Sequence, residues 1–220
     1  MPILATCGGC RSLMTGCGLR ISEATAVALE DFDFAEQILH VRRQLNKLGD
    51  RHIYALPKNN REREVPLPDW AAAAVRIHLA SHAPWSCTLP WEKLTGKTRT
   101  HNLLFRWPDD SDVRYRTYSE QVWKPALSAA GVIPKPGTDA RGRRRYETSG
   151  KEGPHQLRHY YASVMLHGGV SVKELAEYLG HHDPAFTLRV YSHLMPGSHD
   201  RARQMFDARM FRARAVADGT

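Results

Sequence analysis

The chain has only four cysteines in 220 residues, Cys7, Cys10, Cys17 and Cys87. That is too few for a disulfide framework at this length and reads as reduced, cytoplasmic thiols. Cys7-Gly-Gly-Cys10 has the spacing of half a zinc site, but no second Cys/His pair follows closely, which disfavours a metal there. No apolar run approaches the roughly 20 residues that a membrane helix needs, and the first residues lack the charged-then-apolar layout of a secretion signal. Also missing are a Gly-x-x-x-x-Gly-Lys-Ser/Thr loop and a carboxylate cluster for two metals, so neither ATP nor Mg²⁺ is indicated. No internal repeat or low-complexity tract interrupts the chain, whose length suits one core.

Positive charge, by contrast, is in excess: 31 Lys and Arg against 23 Asp and Glu give a net charge of +8. Such a chain is suited to a polyanion such as a phosphate backbone, although RNA or an acidic ligand would fit the charge equally well. The excess gathers in Arg141-Gly142-Arg143-Arg144-Arg145, between turn signals, and in a tail from Arg201 to Arg214.

Chemistry-bearing residues concentrate between Gly153 and His193. Gly-Pro-His155-Gln-Leu-Arg158-His is followed by Leu179-Gly-His181-His-Asp-Pro and then by Tyr191-Ser-His. Arg158 offers a planar, two-pronged donor to the oxygens of a phosphate under attack. His155 and His181 can donate to the same oxygens or move protons near neutrality. Tyr191 is the candidate nucleophile, its phenol activated by neighbouring cations and a positioned base. Tyr160, Tyr161 and Tyr178 fall within apolar-periodic helical stretches and read as packed structural residues. His155 and His159 share a helix face at four apart, as metal-binding histidines do. Gln156 stands where a general base would be needed, however, and Arg158 between them opposes a divalent ion, so zinc hydrolysis is the weaker reading.

Two upstream segments complete the set. Thr15-Gly-Cys-Gly-Leu-Arg20-Ile-Ser-Glu23 reads as a glycine turn opening a helix, with Arg20 at its amino end and Glu23 one turn later. Ala55 to Leu67 reads as two short strands forming a hairpin around Asn59-Asn60, with Lys58 at its base. In isolation the first is an ordinary surface pair and the second a solvated basic hairpin.

Taken in order, Arg20, Lys58, His155, Arg158, His181 and Tyr191 resemble the tyrosine recombinases, or phage integrases, from about Thr15 onward. The resemblance implies an α+β fold, mainly helical with a small antiparallel sheet, for a catalytic domain over 15–220 behind an atypical leader, 1–14. It implies site-specific recombination through a 3′-phosphotyrosyl intermediate. Arg20 and Arg158 would clamp the scissile phosphate, Lys58 would protonate the leaving 5′ oxygen, His155 and His181 would assist, Tyr191 would attack, and Glu23 would buttress the site. No cofactor or metal is implied. The implied partners are double-stranded DNA and further copies of the chain, as a tetramer on paired sites, in the cytoplasm at the nucleoid. A type IB topoisomerase-like relaxer and a DNA-binding remnant are the alternatives. Against the family pattern, the DNA-clamping domain and a leading helix ahead of Arg20 are expected to be absent, since residues 1–11 show no sustained helical period.

Punctuation predicts the remaining elements. Asp69 starts an alanine-rich helix to about Ser81, Ser119 caps one ending at Gly131, and 85–118 reads as an irregular insert. A helix after Pro154 stops at Gly168-Gly169. Ser171 and Glu174 form a capping box for the next, which ends at Gly180. Asp183-Pro184 starts a short helix delivering Tyr191 at its far end. In the tail, Ala202, Met205, Phe206, Met210 and Phe211 fall on or near one face, suited either to the protein's own core or to a neighbouring protomer.

Overall fold

The computed structural model describes residues 8–106, 115–194 and 203–210. Its first element overturns an expectation, because the chain is helical over Gly8–Gly16 (α1). Cys10, Leu13, Met14 and Cys17, spaced i, i+3, i+4 and i+7, are all buried in the main core. Gly9 lets the helix approach Phe105, whose ring would lie 3.0 Å from a Cβ at that position. The helix packs against α3, Asp69–Ser81, and against the helix that carries Arg158.

A short helix, Ile21–Ala24 (α2), leads into the strands. Phe32–Asp33 (β1), Ile38–Val41 (β2) and Arg63–Pro66 (β5) form one antiparallel sheet in the order β1-β2-β5. Gln44–Leu48 (β3) and Arg51–Ala55 (β4) form a separate two-stranded sheet. The expected hairpin around Asn59-Asn60 is therefore not one. Both asparagines do take the left-handed turn conformation, but the turn carries the chain from one sheet to the other. The apolar residues explain the split. Val65 of β5 opposes Leu39 and joins the main core, whereas Tyr54 of β4 packs with Cys87 and Leu103 in a second one.

Within the segment read as an irregular insert, the described residues, 85–106 and 115–118, are largely regular. Trp85–Pro90 (β6) and Thr98–Leu103 (β7) pair as an antiparallel hairpin, which Tyr54 and Trp91 bridge to β4. Its signal was weak, because only Cys87 and Leu103 of this pair are fully buried. Ser119 is not an N-cap either. It opens a π-helical turn, Ser119–Trp123, inside a helical run from Tyr115–Tyr118 (α4) to Lys124–Ala129 (α5). Burial of Tyr118, Val122 and Trp123 carries the helix through the serine. The basic loop is the tip of a small hairpin, Gly137–Thr138 (β8) with Arg144–Arg145 (β9), drawn together by Asp139, which accepts from the Arg141 and Arg143 backbones.

The last third follows its punctuation closely. His155–His167 (α6) and Val172–Leu179 (α7) flank Gly168-Gly169, and α7 closes on a left-handed Gly180. Ser171 and Glu174 form the reciprocal cap. Asp183 accepts from the Ala185 backbone to start Pro184–Tyr191 (α8). Tyr161 is buried and Tyr178 half-buried as read, but Tyr160 is exposed. Residues 203–210 form a further helix (α9), with Met205, Phe206 and Met210 exposed rather than covered by the protein's own core. Ala202, Phe211 and residues 1–7 lie outside the described residues. The fold is α+β and mainly helical, and among the described residues no helix is long and apolar enough to cross a membrane.

Candidate active site

The site begins at Gly18, whose φ of +63° turns the chain out of α1. A Cβ there would stand 2.5 Å from the Tyr161 ring, so the turn needs glycine for both its conformation and its closeness. Two residues later Arg20 precedes α2. Its backbone N–H donates to Glu23 Oε2 at 2.9 Å, and its Nη1 donates to Oε1 at 2.8 Å. Arg63, reaching across from β5, donates to the same carboxylate at 2.7 and 3.1 Å and to the Tyr178 carbonyl at 2.7 Å. Burial alone would raise the Glu23 carboxyl, but Arg63, then Arg20 and Arg158, bring it down to about 2.

Arg158, on α6, is 1% exposed. Its guanidinium donates to the Gly18 and Leu179 carbonyls, so the turn before Arg20 and the end of α7 fix its plane. Burial, and then the nearby Arg20 charge, lower it to about 9, which leaves it cationic at neutral pH. Among the described residues, three guanidiniums here share one carboxylate, Glu23. A cluster with that excess is built to receive an anion.

His181 follows Gly180 on a turn, as expected. Its Nδ1 lies 2.7 Å from Thr187 Oγ1, and its Nε2 faces an Arg158 nitrogen at 3.3 Å. Burial and then Arg158 lower His181 to about 3, while the same two causes lower His155 to about 4. The expectation that both titrate near neutrality is therefore corrected for the bare protein: with the cations this close, both rings are neutral at pH 7.

Tyr191 is the last residue of α8 and is buried. Its phenol is raised by burial, which outweighs the opposing pull of Arg158 and Arg20, so the cations alone do not favour phenolate. Its hydroxyl meets His159 Nδ1 at 2.9 Å, and the His159 ring stands edge-on to His155 at 5.0 Å between centroids. Lys58 is exposed and makes no ion pair among the described residues. Its turn is tied to the site through Asn59, which donates to the Gly180 carbonyl at 3.1 Å.

The structure thus brings Arg20, Glu23, Arg158, His181 and Tyr191 to one place, puts His155 on the same helix and sets Lys58 on an adjoining turn. Sequence reasoning missed three contributors. Arg63 was lost in the charged run Arg61-Glu62-Arg63-Glu64, although strand alternation puts it on the buried side with Val65. His159 was weighed only as half of a metal pair, and Thr187 went unassigned. Among the described residues no cluster of three or more His, Cys, Asp or Glu is placed to hold a metal. Cys10, Cys17 and Cys87 are buried, and burial pushes Cys17 up to about 12.

Residues 10–197 match the phage integrase family. Tyrosine recombinase XerC of Pediococcus pentosaceus is 26% identical over 183 residues, which span 83% of this chain and 48% of that protein. Tyrosine recombinase XerD of Rickettsia bellii is likewise 26% identical, over 83% of this chain and 50% of its own length. The chain thus spans about half the length of these relatives. The Tn1549 transposon integrase, solved in complex with circular intermediate DNA, superposes with a TM-score of 0.66 at 19% identity over 91% of this chain and 58% of that one. The catalytic domain of bacteriophage HP1 integrase superposes at 0.53 with 18% identity, over 93% and 88% of the two chains.

Proposed function

The chain belongs to the phage integrase family, and from that membership we propose that it cuts and rejoins DNA by site-specific recombination, with residues 15–220 as the catalytic domain. The substrate is a DNA phosphodiester. Tyr191 gives up its phenolic proton to a neighbouring imidazole as Oη attacks the phosphorus, the P–O5′ bond breaks, and a 3′-phosphotyrosyl link holds the strand. Lys58 gives its proton to the departing 5′ oxygen. Attack by the 5′ hydroxyl of a partner strand then reverses the step, releasing Tyr191 and returning a proton to Lys58, so the bond energy is kept throughout.

Arg20 and Arg158 hold the non-bridging oxygens, and Glu23 and Arg63 fix Arg20 and the surrounding charge. His155 and His181 donate hydrogen bonds as charge builds in the transition state. The observation that carries this reading is the buried cation excess around Arg158 beside the Tyr191 phenol. The exposed apolar residues of α9 support assembly of several copies, a tetramer on two paired duplex sites, through contacts between protomers. Such a protein works in the cytoplasm at the nucleoid.

Covalent capture on a nicked suicide duplex tests the proposal. Wild-type protein is expected to yield one DNA adduct, mapped by peptide mass to Tyr191 and lost in Tyr191→Phe. An adduct on Tyr160 or Tyr178, or none, overturns it.

A further inference from the structure

We infer that His159 is the base that removes the Tyr191 proton during strand cleavage. The inference rests on the recombinase reading and adds to it a residue that the sequence pattern left without a role. Tyr191 Oη and His159 Nδ1 are 2.9 Å apart, which is hydrogen-bond reach for a proton transfer. In the tautomer a base requires, the phenol donates to Nδ1 and the ring's own proton sits on Nε2. Burial and the Arg158 charge keep His159 below its ordinary value, so it is neutral at pH 7.

The other candidates are engaged elsewhere. His181 has Thr187 on one nitrogen and Arg158 on the other. His155 meets the His159 ring edge-on rather than the phenol. Helix geometry explains the placement. His155 and His159, four apart, share a face of α6, while Arg158, one residue earlier, turns roughly 100° away toward Gly18 and Leu179. The phenol therefore sits with a neutral acceptor on one side and the cation cluster on the other. As Oη bonds to phosphorus, its proton passes to Nδ1 and His159 becomes imidazolium. When the 5′ hydroxyl of the partner strand attacks, the Oη–P bond breaks and the phenolate takes that proton back. The groups facing His159 are His155 and Arg158 of its own helix and Tyr191 of α8, with Arg20 just before α2, Glu23 on α2 and His181 beyond Arg158. An anionic phosphate among these cations offsets the new imidazolium charge.

The test follows adduct formation on the nicked suicide duplex from pH 5 to 9 with this chain, His159→Gln, and His159→Ala with and without added imidazole. Glutamine still accepts a hydrogen bond from the phenol but takes no proton, so a purely positional role would survive it. Adduct formation in His159→Gln is expected to fall roughly 10²–10⁴-fold. The acid limb of the wild-type profile, which protonation of His159 would produce, is expected to vanish in that variant, and imidazole to restore part of the His159→Ala rate. An unchanged or faster rate in His159→Gln, or an acid limb that persists, overturns the assignment. In parallel, the ¹⁵N signal of His159 Nδ1 in the free protein should shift in Tyr191→Phe, and no shift removes the contact on which the inference stands. Absence of any wild-type adduct overturns the recombinase reading itself and the base assignment with it, a result distinct from a wild-type adduct that ignores His159.

Discussion

The Arg63 guanidinium grips the Glu23 carboxylate with two hydrogen bonds, at 2.7 and 3.1 Å, across forty residues of sequence. Both side chains are nearly inaccessible, so neither charge has water to fall back on if its partner is lost. Arg63→Ala should therefore cost about 3–5 kcal/mol in urea unfolding, the range for breaking a buried pair. The pH dependence has a definite sign. Glu23 is lowered from 4.5 to about 2, so its stabilisation is complete above the unfolded value and is lost as pH falls through about 2. Glu23→Gln should flatten the loss of stability between pH 4.5 and 2. An equally steep acid limb in that variant would show that Glu23 does not carry it.

At Gly18 a methyl group would meet both a left-handed backbone and the Tyr161 ring. Gly18→Ala is expected to lower stability by at least about 1–3 kcal/mol and to slow adduct formation, because the Gly18 carbonyl helps to orient Arg158. Thermal unfolding and the suicide-substrate rate check the two effects. A variant as stable as the parent would mean the turn relaxes without strain.

Lys58→Ala should slow cleavage roughly 10²–10⁴-fold while leaving DNA affinity nearly intact. A 5′-bridging phosphorothioate, whose thiolate leaves without a proton, should recover most of that rate. Equal losses on both substrates would reduce Lys58 to a phosphate contact.

Replacing Met205, Phe206 and Met210 of α9 together by serine removes exposed apolar surface only. Stability should change by no more than about 0.5 kcal/mol per site, as for other surface changes. Assembly on paired sites, followed by analytical ultracentrifugation with DNA, should fall sharply. A marked drop in melting temperature without loss of assembly would place these residues against the protein's own core.

The elements from α6 to α8 were legible because their signals are local: a capping serine with its glutamate, a left-handed glycine, an aspartate before proline. Arg20, Glu23, Arg158, His181 and Tyr191 lie near one another in the fold, and it was their order along the chain that singled them out. What the sequence hid depends on distant partners. Helix α1 forms although Gly8 and Gly9 open it, because Phe105 and α3 receive its buried face. Strands β4 and β5 looked like a hairpin because they are adjacent, yet each pairs with the strand that shares its core. Arg63 could have been found by asking which side of a strand its alternation buries. His159 could not, since nothing local indicates that a phenol thirty-two residues away will lie against its ring.

The Thr187 hydroxyl, buried 2.7 Å from His181 Nδ1, is both a donor and an acceptor. While Arg158 donates to Nε2, the imidazole proton sits on Nδ1 and Thr187 accepts it. Once an oxyanion needs a donor at Nε2, the hydroxyl can rotate and give its own hydrogen to Nδ1 instead. In the proposed reaction, the ring would thus reverse its polarity with Thr187 satisfied in both states, an empty pocket and a loaded one calling for opposite tautomers of the same histidine.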